Sequence, residues 1–207
     1  GHSIVFGANI GSISVDDAAD MIYWIDNASS LHRANLDGSG QQTLLTGLAN
    51  AGWVVVDPAA GKLYMTLGIN PNVSLERRNL DGSDPETLLS NQFGMGGLAL
   101  DAERNHLYFG QESFIYRVNA ADGSGKTPVI SGLTNNSVGS VGIDPAGEHV
   151  YWSDFNARQI KRAGLNGGPV EVVADTIDPS HPGSENPFGL AVDGSDGRVW
   201  WHQMFTI

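Results

Sequence analysis

Short apolar runs recur along the chain between turns rich in Gly, Asp, Asn and Pro, and the runs are of two kinds. One kind is apolar without alternation: Trp53-Val54-Val55-Val56, Gly97-Leu98-Ala99-Leu100, Val141-Gly142-Ile143 and Gly189-Leu190-Ala191-Val192. The other carries a paired aromatic or bulky core: Ile22-Tyr23-Trp24-Ile25, Leu63-Tyr64-Met65-Thr66, His106-Leu107-Tyr108-Phe109 and Val150-Tyr151-Trp152-Ser153. Neither kind has a polar face, so both predict strands covered on two sides. A third segment carries a basic residue at the same place each time, Arg33, Arg77, Arg117 and Arg162. It ends at Asp37-Gly38, Asp81-Gly82, Asp122-Gly123 or Asn166-Gly167, dipeptides that close two-residue hairpins. A fourth, more polar segment follows, such as Gln42-Thr43-Leu44-Leu45.

This series repeats. Asp16, Asp57, Asp101, Asp144 and Asp193 stand at the same place before Tyr23, Tyr64, Tyr108, Tyr151 and Trp200. The interval, about 41–49 residues, is that of one small sheet per repeat. Four antiparallel strands per unit predict an all-β propeller forming a single domain over 1–207. The repeats run over approximately 11–50, 51–94, 95–137, 138–187 and 188–207. Five blades are visible, the last incomplete, with six possible if the chain continues. Residues 3–7 are placed as a fourth strand with nothing ahead of it, and are expected to close the last blade.

Composition narrows the partners. The 207 residues carry 11 basic and 23 acidic side chains, a formal charge of −12. Such a surface repels phosphate backbones and anionic headgroups, which argues against nucleic acid. No apolar run is long enough to span a bilayer, so no membrane insertion is expected. Cysteine is absent, which excludes disulfides, thiolate metal sites and cysteine nucleophiles. The opening Gly1-His2-Ser3 reads as the remnant of a cleaved tag, with no signal peptide visible.

The aligned segments resemble the YWTD repeat, the class B repeat of the low-density-lipoprotein receptor family. The resemblance rests on Tyr23-Trp24-Ile25-Asp26, Tyr151-Trp152-Ser153-Asp154, Arg33-Ala34-Asn35-Leu36-Asp37-Gly38 and Arg78-Asn79-Leu80-Asp81-Gly82, and it extends over essentially the whole chain. Units two, three and five depart, reading Tyr64-Met65-Thr66-Leu67, Tyr108-Phe109-Gly110-Gln111 and Trp200-Trp201-His202-Gln203. The resemblance implies an extracellular or secreted propeller that binds a protein ligand through one face. Three Asn-x-Ser sequons, at Asn27, Asn72 and Asn135, are compatible with secretion.

Candidate chemistry is weighed against the repeat. The five marker aspartates share a phase and so sit on different blades, where capping a turn is the expected role. The repeated arginines are expected to reach a carboxylate on the neighbouring blade. Binding residues are expected in loops at one end of the blades, where second-to-third-strand turns and inter-blade connections gather. That end offers Asp26, Glu112, Asp154, Asn156 and His202, together with His181, Glu185 and Asn186 from an insertion over 175–187 that contains three prolines. These are the candidate ligand-binding residues. No catalytic residue, metal ligand set or cofactor is assigned, because no nucleophile elbow, His-Glu-x-x-His helix or phosphate loop occurs. The expected function is a non-enzymatic binding scaffold for a protein, peptide or glycan, as a monomer or an edge-paired oligomer. The alternative is a propeller hydrolase acting on lactones, esters or sugars, with Asp178, His181, Glu185 and His202 around a metal or as acid–base groups.

Overall fold

In the computed structural model, residues 10–135, 137–176, 186–194 and 197–204 are described. The expected closing strand, 3–7, lies outside them. The chain forms two compact units, Gly1–Phe93 and Gly94–Ile207.

Unit one holds two four-stranded antiparallel sheets. The first is β1 (Ile10–Asp16), β2 (Met21–Asp26), β3 (Leu31–Asn35) and β4 (Gln42–Leu45); the second is β5 (Val54–Asp57), β6 (Lys62–Leu67), β7 (Val73–Asn79) and β8 (Glu86–Gln92). Unit two holds β9 (Met95–Asp101), β10 (His106–Gln111), β11 (Phe114–Asn119) and β12 (Thr127–Ile130), then β13 (Val138–Asp144), β14 (His149–Asp154), β15 (Gln159–Gly164) and β16 (Glu171–Asp175). It also holds the pair β17 (Asn186–Asp193) and β18 (Arg198–Met204). In each four-stranded sheet the strands pair in chain order.

The second strands are covered on both faces, as their composition requires. Tyr23, Tyr64, Tyr108 and Tyr151 are buried, and so are Trp24, Met65, Phe109 and Trp152 beside them. The core therefore lies between sheets. In unit one Tyr23, Ile25 and Leu31 of the first sheet pack with Val54, Val56, Leu63 and Met65 of the second. In unit two Tyr108 and Ile115 pack with Val138, Val141, Val150 and Trp152. Each fully buried side chain of this size contributes roughly 1.5–3 kcal/mol.

Backbone polarity is settled across the same seams. Amides of Val54 and Val56 donate to the hydroxyls of Ser12 and Ser14 on the preceding sheet, at 3.0 and 3.1 Å. Thr66 Oγ1 accepts from Trp53 N at 2.9 Å, and Ser153 Oγ accepts from Ser140 N at 2.9 Å while donating to Phe188 O at 3.4 Å. The hydroxyl in the third place of the aromatic motif thus serves the first strand's backbone. In sheet three that place is Gly110, which the Val138 side chain fills.

Four of the five marker aspartates cap turns as expected. Asp16, Asp57, Asp101 and Asp144 are almost fully buried, and each accepts the amide three residues on, from Ala19, Ala60, Arg104 and Gly147, at 2.8–3.1 Å. Two expectations are corrected. The Asp-Gly turns are wider than two residues, since 36–41 separate β3 from β4. The side chains of Asp37, Asp81 and Asp122 take the amides of Ser39, Ser83 and Ser124, which rounds the turn.

The arginines, secondly, bond mostly within their own sheet. Each stands directly across from the second-strand tyrosine, as in Tyr23↔Arg33 and Tyr151↔Arg162. Each meets the residue opposite it on the fourth strand: Arg33 holds Gln42, Arg77 holds Glu86 and Arg162 holds Glu171. The distance to an opposite residue in register is short, so a local acceptor wins over a neighbouring blade. Where Thr127 stands opposite, Arg117 crosses to the next sheet and donates to Asn166 Oδ1 at 2.7 Å.

Crowding between first strands dictates glycine at both 96 and 97. Gly97 has φ +65°, and a Cβ there would lie 2.4 Å from the Val141 amide nitrogen. We expect Gly97→Ala to cost about 2–4 kcal/mol, from left-handed strain plus a backbone clash. Urea denaturation measures it; a loss below that of an exposed-surface change would contradict the packing described.

Burial, aided by the Arg117 and Arg104 charges against an opposing Asp101, holds the His106 imidazole below its usual 6.5. Its Nδ1 is buried without a hydrogen-bond partner. The unfolded chain then binds a proton that the folded protein refuses, so stability falls as pH drops from 6.5 through the depressed folded value. His106→Gln should flatten the pH dependence of the melting temperature in that window; an unchanged slope would count against this origin.

Candidate functional site

The fourth place of the aromatic motif holds an acid twice, and both acids are engaged internally. Asp26 ends β2 and accepts from Ser30 N at 2.9 Å through one oxygen and meets His32 Nε2 at 3.1 Å through the other. His32 stacks on Trp24, with ring centroids 5.2 Å apart, and its Nδ1 bonds Thr43 Oγ1 at 3.0 Å. Partial burial works to raise the Asp26 carboxyl, but the Ser30 amide and the His32 hydrogen bond and charge outweigh it and hold it below the usual value. Asp154 ends β14 in the equivalent place. It is 1% exposed and accepts from Ala157 N at 3.0 Å and Lys161 Nζ at 2.7 Å. His32 and Lys161 occupy matching positions, opposite Trp24 and Trp152.

Glu112 lies exposed at the β10–β11 turn with φ +52°. Gln111 beside it takes a hydrogen bond from Lys126, whose Nζ lies 4.3 Å from the centre of the Tyr116 ring. Burial pushes the Lys126 ammonium down, against the Glu112 charge.

The remaining described candidates gather at one end of sheets four and five. Asn156 is exposed on the β14–β15 turn, Asn186 opens β17, and His202 is exposed on β18. Between them runs a row of rings that sequence reasoning did not single out. Phe155 and Phe188 stack at 5.9 Å with 18° between planes, and Phe188 meets His202 at 6.0 Å. Phe155 and Phe188 are half-buried, and the His202 ring sits over Gly189. Phe155 N donates to Ser137 O at 2.9 Å, which fixes the turn to the incoming connection. Asp26 and Glu112 belong to other sheets and do not join this row. His181 and Glu185, with Asp178, lie outside the described residues.

Chemically the row is a contact surface: two stacked rings, an imidazole and two primary amides. No group of three or more His, Asp or Glu side chains suited to a metal occurs among the described residues. At the other end of sheet one, Asp20, Asn35, Leu36 and Asp37 line a cleft of about 410 Å³. Asn35 and Asp37 there bond Ser39, so the polar lining serves the β3–β4 turn.

Four-stranded antiparallel sheets in series define the class: this is an all-β propeller fold, with four full blades and a further strand pair described. Solved structures support the class. The chain is similar to a TolB-designated protein from Agrobacterium tumefaciens at a TM-score of 0.73 and 14% identity, covering 96% of this chain and 71% of that one. It is similar to a protein of unknown function from Bacteroides thetaiotaomicron VPI-5482 at a TM-score of 0.67 and 16% identity, covering 94% and 52%. It is also similar to a chain in the crystal structure of a nidogen/laminin complex, at a TM-score of 0.66 and 25% identity, covering 74% and 58%. The chain thus spans little more than half the length of the latter two. No protein-family profile matches it.

The pairing of Asp154 with Lys161 is testable. Lys161→Met should cost about 3–5 kcal/mol, because it strands a buried carboxylate. Adding Asp154→Asn should recover a large part of that loss. Additive losses in a double-mutant cycle by chemical denaturation would show that the two side chains do not interact.

Proposed function

We propose that this protein is a non-enzymatic binding module that takes a protein or peptide partner on the end of unit two where Phe155, Phe188 and His202 line up. The observation that carries this reading is the ring row itself, half-exposed, with the exposed amides of Asn156 and Asn186 beside it along the chain. Stacked aromatics beside adaptable amides favour contact energy over bond-making, since rings supply area at little entropic cost. The nearest buried acid, Asp154, already holds two donors and is poorly placed as a general base.

Two further supports concern the family. The residues Tyr23-Trp24-Ile25-Asp26 and Tyr151-Trp152-Ser153-Asp154 follow the YWTD pattern, and the likeness to the chain from a nidogen/laminin complex reaches 25% identity. We therefore read the chain as a YWTD-like propeller of secreted or extracellular type. That neighbour's structure contains a protein complex, which favours a protein partner here over a glycan.

The test compares immobilised wild-type protein with Asn156→Arg, a surface change, and with Phe155→Ala/Phe188→Ala. We expect a partner taken from native extract by the wild type to be lost with both variants and kept with Asp37→Ala at the other end. A rim charge of this kind should weaken binding about tenfold or more by calorimetry. Partner binding indifferent to both variants, or turnover of an ester or lactone that needs His202, would overturn the reading.

A further inference from the structure

Asn166-Gly167 is the only Asn-Gly dipeptide in the chain, and it stands where the other full blades carry Asp37-Gly38, Asp81-Gly82 and Asp122-Gly123. Three features of this turn bear on its chemistry, and the first sets it apart from the Asp turns. First, its side-chain oxygen is not held by the amide two residues on, as in the Asp turns, but by the Arg117 guanidinium of the preceding sheet at 2.7 Å. Arg117 is available for this because Thr127 replaces the Gln or Glu that holds its counterparts. Second, glycine is obligatory after Asn166: Gly167 has φ +96°, and a Cβ would lie 2.8 Å from the Val129 carbonyl oxygen on the neighbouring sheet. Third, Asn166 is exposed, so water reaches it freely.

These features suit one reaction. The backbone nitrogen of Gly167 attacks Cγ of Asn166, closing a cyclic imide; the C–N bond to the side-chain nitrogen breaks, and that nitrogen leaves as ammonia with the proton from Gly167. Water then opens the imide to aspartate or isoaspartate. The balance is amide plus water to carboxylate plus ammonium, with no oxidant or reductant. A side chain on the residue after the asparagine would obstruct the attacking nitrogen, and inter-sheet packing forbids one here. The guanidinium on Oδ1 polarises the carbonyl and stabilises the oxyanion that forms on attack. The Gly167 amide, now bonded to Gly164 O at 2.9 Å, is released by opening of this turn, which carries a second positive-φ glycine at 168.

We propose that Asn166 is a self-deamidation site, activated by Arg117, whose product exchanges a one-sided charge-assisted clasp between sheets for an ion pair. The aspartate product matches the residue type of the other turns. Its bond to Arg117 becomes charge-assisted on both sides and therefore stronger. In unit one an arginine of the preceding sheet, Arg33, acts on a turn aspartate, Asp81, through charge alone while it holds Gln42. The Asp81 carboxyl is held below its usual value first by the Ser83 hydroxyl and amide, with the Arg33 charge of the preceding sheet adding to it.

The experiment follows the peptide containing Asn166 by mass spectrometry while the folded chain stands at mildly alkaline pH. We expect time-dependent exchange of NH2 for OH at Asn166, with isoaspartate detected beside aspartate. Thr127→Glu restores the local acceptor at an exposed position and should draw Arg117 away; Arg117→Gln deletes it. Each should slow conversion roughly three- to tenfold, less than a buried oxyanion donor is worth because the site is exposed. Asn166 remaining an amide while a free peptide of the same residues converts would overturn the proposal. So would a rate unchanged or raised in Thr127→Glu, a variant whose melt reports whether it stays folded.

Discussion

A strand with large apolar side chains on both faces cannot be stable in a lone sheet, and that constraint governs this molecule. Tyr23 and Trp24 point to opposite sides of β2, as do Tyr108 and Phe109 on β10 and Tyr151 and Trp152 on β14, yet all are buried. Each blade therefore needs covering on two sides, and the shared cores sit at the seams. Close approach of first strands follows from the same demand. It selects Gly96 and Gly97, and it lets Ser12, Ser14 and Ser153 bond backbone across sheets. The two exposed apolar residues of β1, Ile13 and Val15, show by contrast what these strands present where a described sheet does not cover them.

Acidity has to be read through the same geometry. A chain with 23 acidic residues looks rich in candidate bases and ligands, but the buried ones are already committed to amides and cations. Asp16, Asp57, Asp101 and Asp144 hold turn amides, Asp101 also meets Arg104, and Asp154 holds Lys161. A buried carboxylate without such partners would be costly, so capping and pairing are what permit burial at all. The acids still exposed, such as Glu103, Glu112 and Glu148, are scattered over different turns, whereas the ring row gathers contact surface in one place.

How much of this was legible along the chain depends on the range of the interaction. Strand positions, repeat length and the capping aspartates depend on residues a few places apart, and the alignment of repeats exposes them directly. The arginine partners were misread because they depend on register: whether Arg117 stays home is decided by Thr127, which becomes its neighbour only once β11 and β12 pair. The wide Asp-Gly turns were misread because side-chain capping by Asp37 competes with the tight hairpin that the dipeptide suggests. Asn156, Asn186 and His202 stand out in the sequence because loops carry polar groups at a predictable end. Phe155 and Phe188 were missed because each looks like a core residue by type, and only tertiary structure places one ring on the other.

A repeat also acts as its own control, and the informative positions are those where one blade breaks the pattern. Thr127 replaces an acceptor, and an arginine swings across a seam to an asparagine that stands where aspartates stand elsewhere. Gln111 replaces an acid, and a lysine from β12's start bonds it above Tyr116 instead of a third-strand cation pairing with a carboxylate. Phe155 occupies a turn that carries no aromatic ring in sheets one to three, and there a stacked aromatic surface appears. In the first case the missing acceptor frees its neighbour, Arg117, to reach a new partner. Departures of this sort are where a fold fixed by burial has room for chemistry, because they alter a partner without touching the core that holds the blades together.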